Sequence, residues 1–366
     1  MKILMLMPFP GVRGPVAKHT PLLVDGLRRL GCAVVTEPWG RHTDPDSITE
    51  RAITRIRDVA RIRRRLREER FDLMVVKTSH EWPSLVRDIA LLAATRTSVP
   101  GIVLQFHGGR SDKLAAPGQF AFKSATAALF RLSDGVLVLS SEEQRQSQEF
   151  WPKGRFHVVA NPFAAATSDV PAPQPEDGAP TLLFASRLIA EKGIFDTLSA
   201  VRILRERLPC KLVVAGSGPE EGEVARRVRD LGIEHDVTLA GFIAGDELLR
   251  AYRAADVFVL PTYWFEGFPT AISEAMAAGL PIVTTRTRGI ADHLDEGINA
   301  IFVPPRDAAA IADAVEALIT DGELRERMSI ANRAKIRMFA PEAVAREYLD
   351  ALDAIEHARG GSDGRS

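Results

Sequence analysis

Cysteine is almost missing from this chain: 366 residues contain only Cys32 and Cys210, far apart and outside any CxxC spacing. That excludes a disulfide framework and a cysteine-ligated zinc site, and makes a reducing, cytoplasmic setting the expectation. Long hydrophobic runs are missing too. The apolar stretch Ile3 to Met7 follows Lys2 and stops at "PFPG", too short for a signal-peptide core or a membrane span. It reads instead as the buried first strand of a parallel sheet. Net charge is close to absent, 47 Lys and Arg against 48 Asp and Glu. The balance hides an asymmetry, because residues 1–163 carry 25 basic against 16 acidic side chains and the remainder 22 against 32. A basic first half points to an anionic partner there.

What is present is a rhythm. Strand-like runs "KILMLM", "CAVVTE", "FDLMVVK", "GIVLQFH", "GVLVLS" and "FHVVAN" alternate with helix-like stretches through residues 1–163. Residues 164–180, "AAATSDVPAPQPEDGAP", are rich in Pro, Ala and acid, lack a hydrophobic period and read as a linker. The rhythm restarts over 181–340 with "TLLFAS", "KLVVAG", "VTLAG", "VFVLPT", "PIVTT" and "AIFVPP". The fold class expected is α/β, two Rossmann-like doubly wound domains facing across a cleft, at a length suited to two cores. An amphipathic helix over 341–358 is left over to pack back on the first domain, and 359–366 reads as a disordered tail.

Strand C-termini are where open α/β sheets bind ligands, so the residues following each strand carry the functional reading. Arg187 and Lys192 of "RLIAEKG" follow "TLLFAS"; they are either solvated surface cations or a clamp for a phosphate-rich anion. In "VVAGSGPEEGEV" the third position of a dinucleotide fingerprint is Glu221, which speaks against an NAD site and leaves Gly216 as a tight turn approaching a ligand. "DPD" at Asp44 to Asp46 reads as an exposed turn rather than a metal-binding pair. His107 ends "GIVLQFH" before two glycines and is either a capped strand end or a group pointing into the cleft. In "FEGFPTAISEAMAAG", Pro269 is expected at the first helical position, with the backbone N–H groups of Gly267, Phe268 and Thr270 and the positive end of the helix dipole forming an anion site. Glu266 and Glu274 beside such a site would repel phosphate and suit sugar hydroxyls instead. Phosphate held by cations and amides, with sugars held by carboxylates, describes a nucleoside diphosphate sugar.

These residues carry a resemblance. Glu266 and Glu274 in "EGFPTAISEAMAAGLPIVTT", with "FASRLIAEKG", look like the E-x7-E and arginine/lysine motifs of retaining glycosyltransferases of the GT-B fold, family four. The likeness extends to the glycine loop of "GVRGPVAKH" at Gly14, to "FHGG", "VVANPF", "AGSGPEE", "LAGFI" and "GIADHLDEGINAIFVPPRD", with Pro15 and Ala300 standing where glycine is common. It implies transfer of a sugar from a UDP-, GDP- or ADP-sugar to a glycan or lipid-linked hydroxyl acceptor, with no metal, no further cofactor and no nucleic-acid partner. It also implies roles: Arg187 and Lys192 on the leaving diphosphate, Glu266 on the donor sugar, Glu274 on the ribose, the backbone of Gly241 and Phe242 on the base, and His107 near sugar and acceptor. A non-catalytic partner subunit, or an epimerase or phosphorylase of the same fold, remains a second reading.

The basic excess of the first half concentrates in residues 51–70, nine arginines against three acids. Ile53, Ile56, Val59, Ala60, Ile62 and Leu66 are spaced as one helical stripe expected to pack on the sheet. Arg55, Arg61, Arg64 and Arg65 are then either solvated or laid against anionic lipid at the inner face of the cell membrane.

Overall fold

A computed structural model describes residues 1–12, 14–40, 48–165 and 178–360. Asp44 to Asp46, most of the expected linker and the residues after 360 lie outside these. The chain separates into two compact units, Met1–Ala164 with Phe265–Gly267 and Met338–Ser366, and Ala165–Trp264 with Phe268–Arg337.

The first unit runs β1 (Lys2–Met7), α1 (Pro15–Arg29), β2 (Ala33–Pro38), α2 (Ile48–Glu68), β3 (Leu73–Thr78), α3 (Trp82–Thr95), β4 (Gly101–Phe106), α4 (Asp112–Ala115), α5 (Phe120–Leu132), β5 (Gly135–Val138), α6 (Ser141–Phe150) and β6 (Phe156–Val158). Its parallel sheet has the order β2-β1-β3-β4-β5-β6, the flavodoxin-like variant of a doubly wound sheet with its switch point between β1 and β3. Both faces of the strands are covered, which is why β3 and β4 are buried along their whole length. On one face Leu4, Leu6, Met74, Val76, Ile102 and Leu104 meet Ile62 and Leu66 of α2 and Leu85, Leu91 and Leu92 of α3.

Helix α14 (Pro341–Gly360) closes the unit against α1. Glycine permits the close approach: a Cβ on Gly26 would stand 2.5 Å from the Pro341 carbonyl oxygen, and one on Gly135 2.4 Å from Ile355. At the same junction the Gln105 side-chain oxygen Oε1 accepts from both Lys77 Nζ (2.7 Å) and the Tyr348 hydroxyl (3.0 Å).

The expected apolar stripe of α2 divides. Ile62 and Leu66 are buried, whereas Ile53 and Ile56 are 50% and 70% exposed. All four arginines expected to face solvent have partners inside the unit, Arg64 only the exposed Glu68 at 3.6 Å. Arg61 donates to the Pro38 carbonyl (2.7 Å) and Asp58 (2.8 Å), Arg65 pairs with Glu69 at 2.9 Å, and Arg55 bonds the Gly40 carbonyl. Arg64, 73% exposed, faces outward with Arg57 and Arg67.

The second unit runs β7 (Thr181–Ala185), α7 (Ile194–Leu204), β8 (Lys211–Ala215), α8 (Glu221–Asp230), β9 (Val237–Gly241), α9 (Asp246–Ala254), β10 (Val257–Leu260), α10 (Thr270–Ala278), β11 (Ile282–Thr284), α11 (Arg288–His293), β12 (Ala300–Phe302), α12 (Ala308–Thr320) and α13 (Gly322–Lys335). Its parallel sheet has the order β12-β11-β10-β7-β8-β9, so β10 and β7 are neighbours at the switch point. Asp307 and Asp321 accept from the N–H groups of Ala310 and Leu324 to start α12 and α13, and left-handed Gly279 ends α10. The helix of the E-x7-E segment starts one residue later than its sequence suggests, with Pro269 as the residue before its first turn.

Candidate functional site

At the switch point of the second unit, the segment after β7 carries Arg187 and Lys192 and the segment after β10 leads into α10. Backbone bonds stitch the two segments together. Tyr263 N–H donates to the Glu191 carbonyl at 2.9 Å, and Thr262 Oγ1 to the same oxygen at 3.3 Å. Gly193 is left-handed here, and a Cβ on it would stand 2.5 Å from the Pro261 carbonyl oxygen. A side chain at residue 193 would therefore pry the two segments apart.

A second clasp holds Arg187 from the other side. Ser186 N–H donates to Ala215 and Leu188 N–H to Ser217, each at 3.0 Å. A Cβ on Gly216 would fall 1.8 Å from the Ser186 carbonyl oxygen, and one on Gly218 2.3 Å from that of Leu188. The glycines expected to approach a ligand thus press backbone on backbone and fix the strand end from which Arg187 projects. Gly216 N–H in turn donates to the Gly241 carbonyl at 2.7 Å, and Phe242 beyond it is 68% exposed.

Arg187 is exposed, and its side chain has no hydrogen bond or ion pair among the described residues. Lys192 is buried, and its pKa falls to about 7, first through burial and then through the Arg187 charge. Two cations held close raise each other's energy, and a doubly charged anion reverses that cost. Helix α10 begins beside them without a side-chain cap, its positive dipole end at the strand edge. Phe268 and Pro269 are buried, Phe268 standing edge-on to His293 with ring centroids 5.1 Å apart. Glu266 lies in the loop before α10 and Glu274 on its second turn, both half-buried. The Glu274 carboxylate accepts from the Tyr252 hydroxyl at 3.1 Å.

In the first unit, the candidate residues follow β1 and β4. Gly14, in a backbone conformation that favours glycine (φ 146°), precedes α1, and a Cβ there would meet nothing within 4 Å. Pro15 takes the first position of that helix, where a missing N–H costs nothing. His107 N–H continues the sheet to the Thr78 carbonyl (2.9 Å), while both ring nitrogens are enclosed without a hydrogen-bond partner among the described residues. Burial, then Lys77 and His19, hold its pKa well below the usual imidazole value, so the ring is neutral.

Glu143 is a residue the sequence reading missed. Its buried carboxylate accepts from Gly109 N–H (2.7 Å) and Leu139 N–H (3.0 Å), pinning the glycines after His107. The signal was the Ser140-x-x-Glu143 spacing of a capping box, which places Glu143 at a helix start but not on a neighbouring loop.

Two parallel doubly wound units, the second with two cations, an uncapped helix start and Glu274 at its switch point, define an α/β architecture with an edge suited to an anion in its second unit. The "Glycosyl transferases group 1" profile matches residues 167–335, and the "Glycosyl transferase 4-like domain" profile matches 13–162. The chain belongs to the group 1 glycosyltransferases and has their GT-B fold.

It is 28% identical to glycogen synthase of Mycobacterium tuberculosis over 76% of this chain and 72% of that one. It is 36% identical to an uncharacterized glycosyltransferase of Methanocaldococcus jannaschii over 44% of this chain, a match spanning 40% of that relative's length. Among solved structures, Anabaena HepE in complex with UDP and glucose superposes with a TM-score of 0.72 at 18% identity, over 96% of this chain and 99% of that one.

Proposed function

We propose that the protein is a retaining, metal-independent glycosyltransferase that moves a sugar from a nucleoside diphosphate donor to a hydroxyl of a glycan or lipid-linked acceptor, in cell-surface polysaccharide or glycolipid synthesis. The observation that carries this is the clasped switch point of the second unit, where buried Lys192 and exposed Arg187 flank the start of α10. Negative charge grows on the diphosphate as its bond to the anomeric carbon breaks. Preorganised cations there stabilise the transition state more than the ground state.

Glu266 holds donor-sugar hydroxyls, Glu274 the ribose, and the backbone of Gly241 and Phe242 the base. Neutral His107, with the Gly14 loop, lies toward the sugar and acceptor. The new bond from the anomeric carbon to the acceptor oxygen forms on the face the diphosphate leaves, and the acceptor proton passes to the departing phosphate oxygen. The UDP and glucose named for HepE put UDP-glucose among the donors to try first.

The expectation of membrane contact keeps Arg64 and otherwise moves to its neighbours on the outward face. Ile53, Ile56, Arg57, Arg64 and Arg67 share the outward face of α2 and are the group to lie on anionic lipid, placing the protein at the inner face of the cell membrane.

The test is a panel of UDP-, GDP- and ADP-sugars, with and without a lipid-linked acceptor, in the presence of EDTA, with the product anomer read by NMR. Turnover of one donor in EDTA with retained configuration is expected. Strict metal dependence, inversion, or no donor consumed would refute the corresponding part.

A further inference from the structure

The E-x7-E spacing accounts for Glu274 but not for what aims it. A half-buried glutamate can still change rotamer, and a carboxylate meant for two ribose hydroxyls must be held in one plane. Tyr252 supplies that constraint from a different helix. Its side chain is buried, and its ring lies 5.7 Å from that of Phe258 in β10, so the phenol has no freedom to swing away. The hydroxyl reaches Glu274 Oε2 at 3.1 Å and the Ala271 carbonyl oxygen at 3.2 Å, two acceptors on adjacent turns of α10. One hydroxyl has one hydrogen, and the charged acceptor takes it more strongly than the neutral one. Burial first, then the Glu274 charge and this bond, push the phenol pKa well above its ordinary value, so Tyr252 remains a donor wherever the protein is folded.

We infer that Tyr252 is a positioning residue for Glu274, and that through this bond the site prefers ribonucleotides to deoxyribonucleotides. The inference rests on the reading of Glu274 as the ribose ligand. Tyr252 touches no substrate itself. It occupies one lone pair of Oε2 and orients the carboxylate plane, so that both sugar hydroxyls meet it without the glutamate first having to be ordered. The contribution belongs to binding rather than to bond breaking, since the ribose carries no developing charge; its loss should raise KM and leave kcat nearly unchanged.

The test uses the full chain, with UDP, GDP and ADP and their 2′,3′-dideoxy forms titrated calorimetrically. Wild-type protein should bind its preferred ribonucleotide more tightly than the dideoxy form. Tyr252→Phe removes one oxygen at constant shape. It should weaken the ribonucleotide about tenfold, the scale of one charge-assisted hydrogen bond, and bring the ribo-to-dideoxy ratio toward unity. The ratio is measured within each variant and does not depend on how much of it is folded. Phe258→Leu, which loosens the ring packing but spares the hydroxyl, should lower stability and narrow the ratio much less than Tyr252→Phe does. In a Glu274→Gln background, Tyr252→Phe should add little further loss. A Tyr252→Phe protein with the wild-type ratio, or a Phe258→Leu protein that loses it equally, overturns the inference while leaving the ribose role of Glu274 standing. Wild-type protein that binds ribo and dideoxy nucleotides alike overturns that role, and the inference with it.

Discussion

The two units share an architecture and differ in where their polar chemistry is kept. In the second, cations, Glu274 and glycines gather at the strand edge in short motifs, supported mostly by backbone bonds to the segment after the next strand and, for Glu274, by Tyr252. In the first, polar groups are held in pairs distant in sequence: Glu143 with Gly109, Lys77 with Gln105, and Gln105 with Tyr348. Even the strand orders differ, Rossmann-like in the second unit and flavodoxin-like in the first. The lesson is chemical. On the proposed function, a nucleoside diphosphate presents fixed charges to a fixed edge and leaves a local signature, whereas the acceptor side is assembled through tertiary contacts.

The largest effect should come from the second unit. Arg187→Ala and Lys192→Ala should each lower kcat about 100-fold, as for loss of one preorganised electrostatic donor. Steady-state turnover with the preferred donor measures it, and unchanged turnover in both would erase the asymmetry between the units. A smaller effect should come from the first. Glu143→Gln sets an amide NH2 against one of the two backbone N–H groups the carboxylate now accepts, loosening the His107 loop. Transfer should fall about tenfold, equivalent to roughly one hydrogen bond. Nucleoside diphosphate affinity should not move, and an equal loss of that affinity would contradict the division of labour.

The smallest effect is on stability alone. Lys77 is buried without a carboxylate partner among the described residues, and burial lowers its pKa from 10.5 to about 7. Below that value the folded protein carries a desolvated charge. Between the two values the unfolded chain binds more protons, so this group's contribution to stability rises with pH across that window. Lys77→Met should therefore raise Tm most in mildly acidic buffer, and the gain should shrink as pH rises through about 7 toward 10. Gln105 keeps the Tyr348 hydroxyl as its donor in that variant. A gain independent of pH would mean that shape, not charge, sets the cost.

What was legible in the sequence follows the same division. The strand–helix rhythm, the C-terminal glycine of α10 and the Arg187, Lys192 and Glu274 positions were readable because each depends on local period or on a neighbour along the chain. The stripe on α2 was over-read. Ile53 and Ile56 lie around the helix from Val59, Ile62 and Leu66, on the outward face, so only the latter three meet the core. The arginines were misjudged because Arg55 and Arg61 find carbonyls at Gly40 and Pro38, partners no spacing rule reveals. Tyr252 left no signal in the sequence, since its partner is 22 residues away on another element.

The central claim is that the clasped switch point of the second unit holds a diphosphate through Lys192. Calorimetry of UDP, GDP and ADP binding, repeated in buffers of different ionisation enthalpy, tests it most directly. At about pH 8 most free protein carries neutral Lys192, given its pKa of about 7, and a bound diphosphate raises that pKa again. Binding should take up close to one proton in the wild type and none in Lys192→Ala. Absence of nucleotide binding, or the same proton uptake in both proteins, would contradict the account.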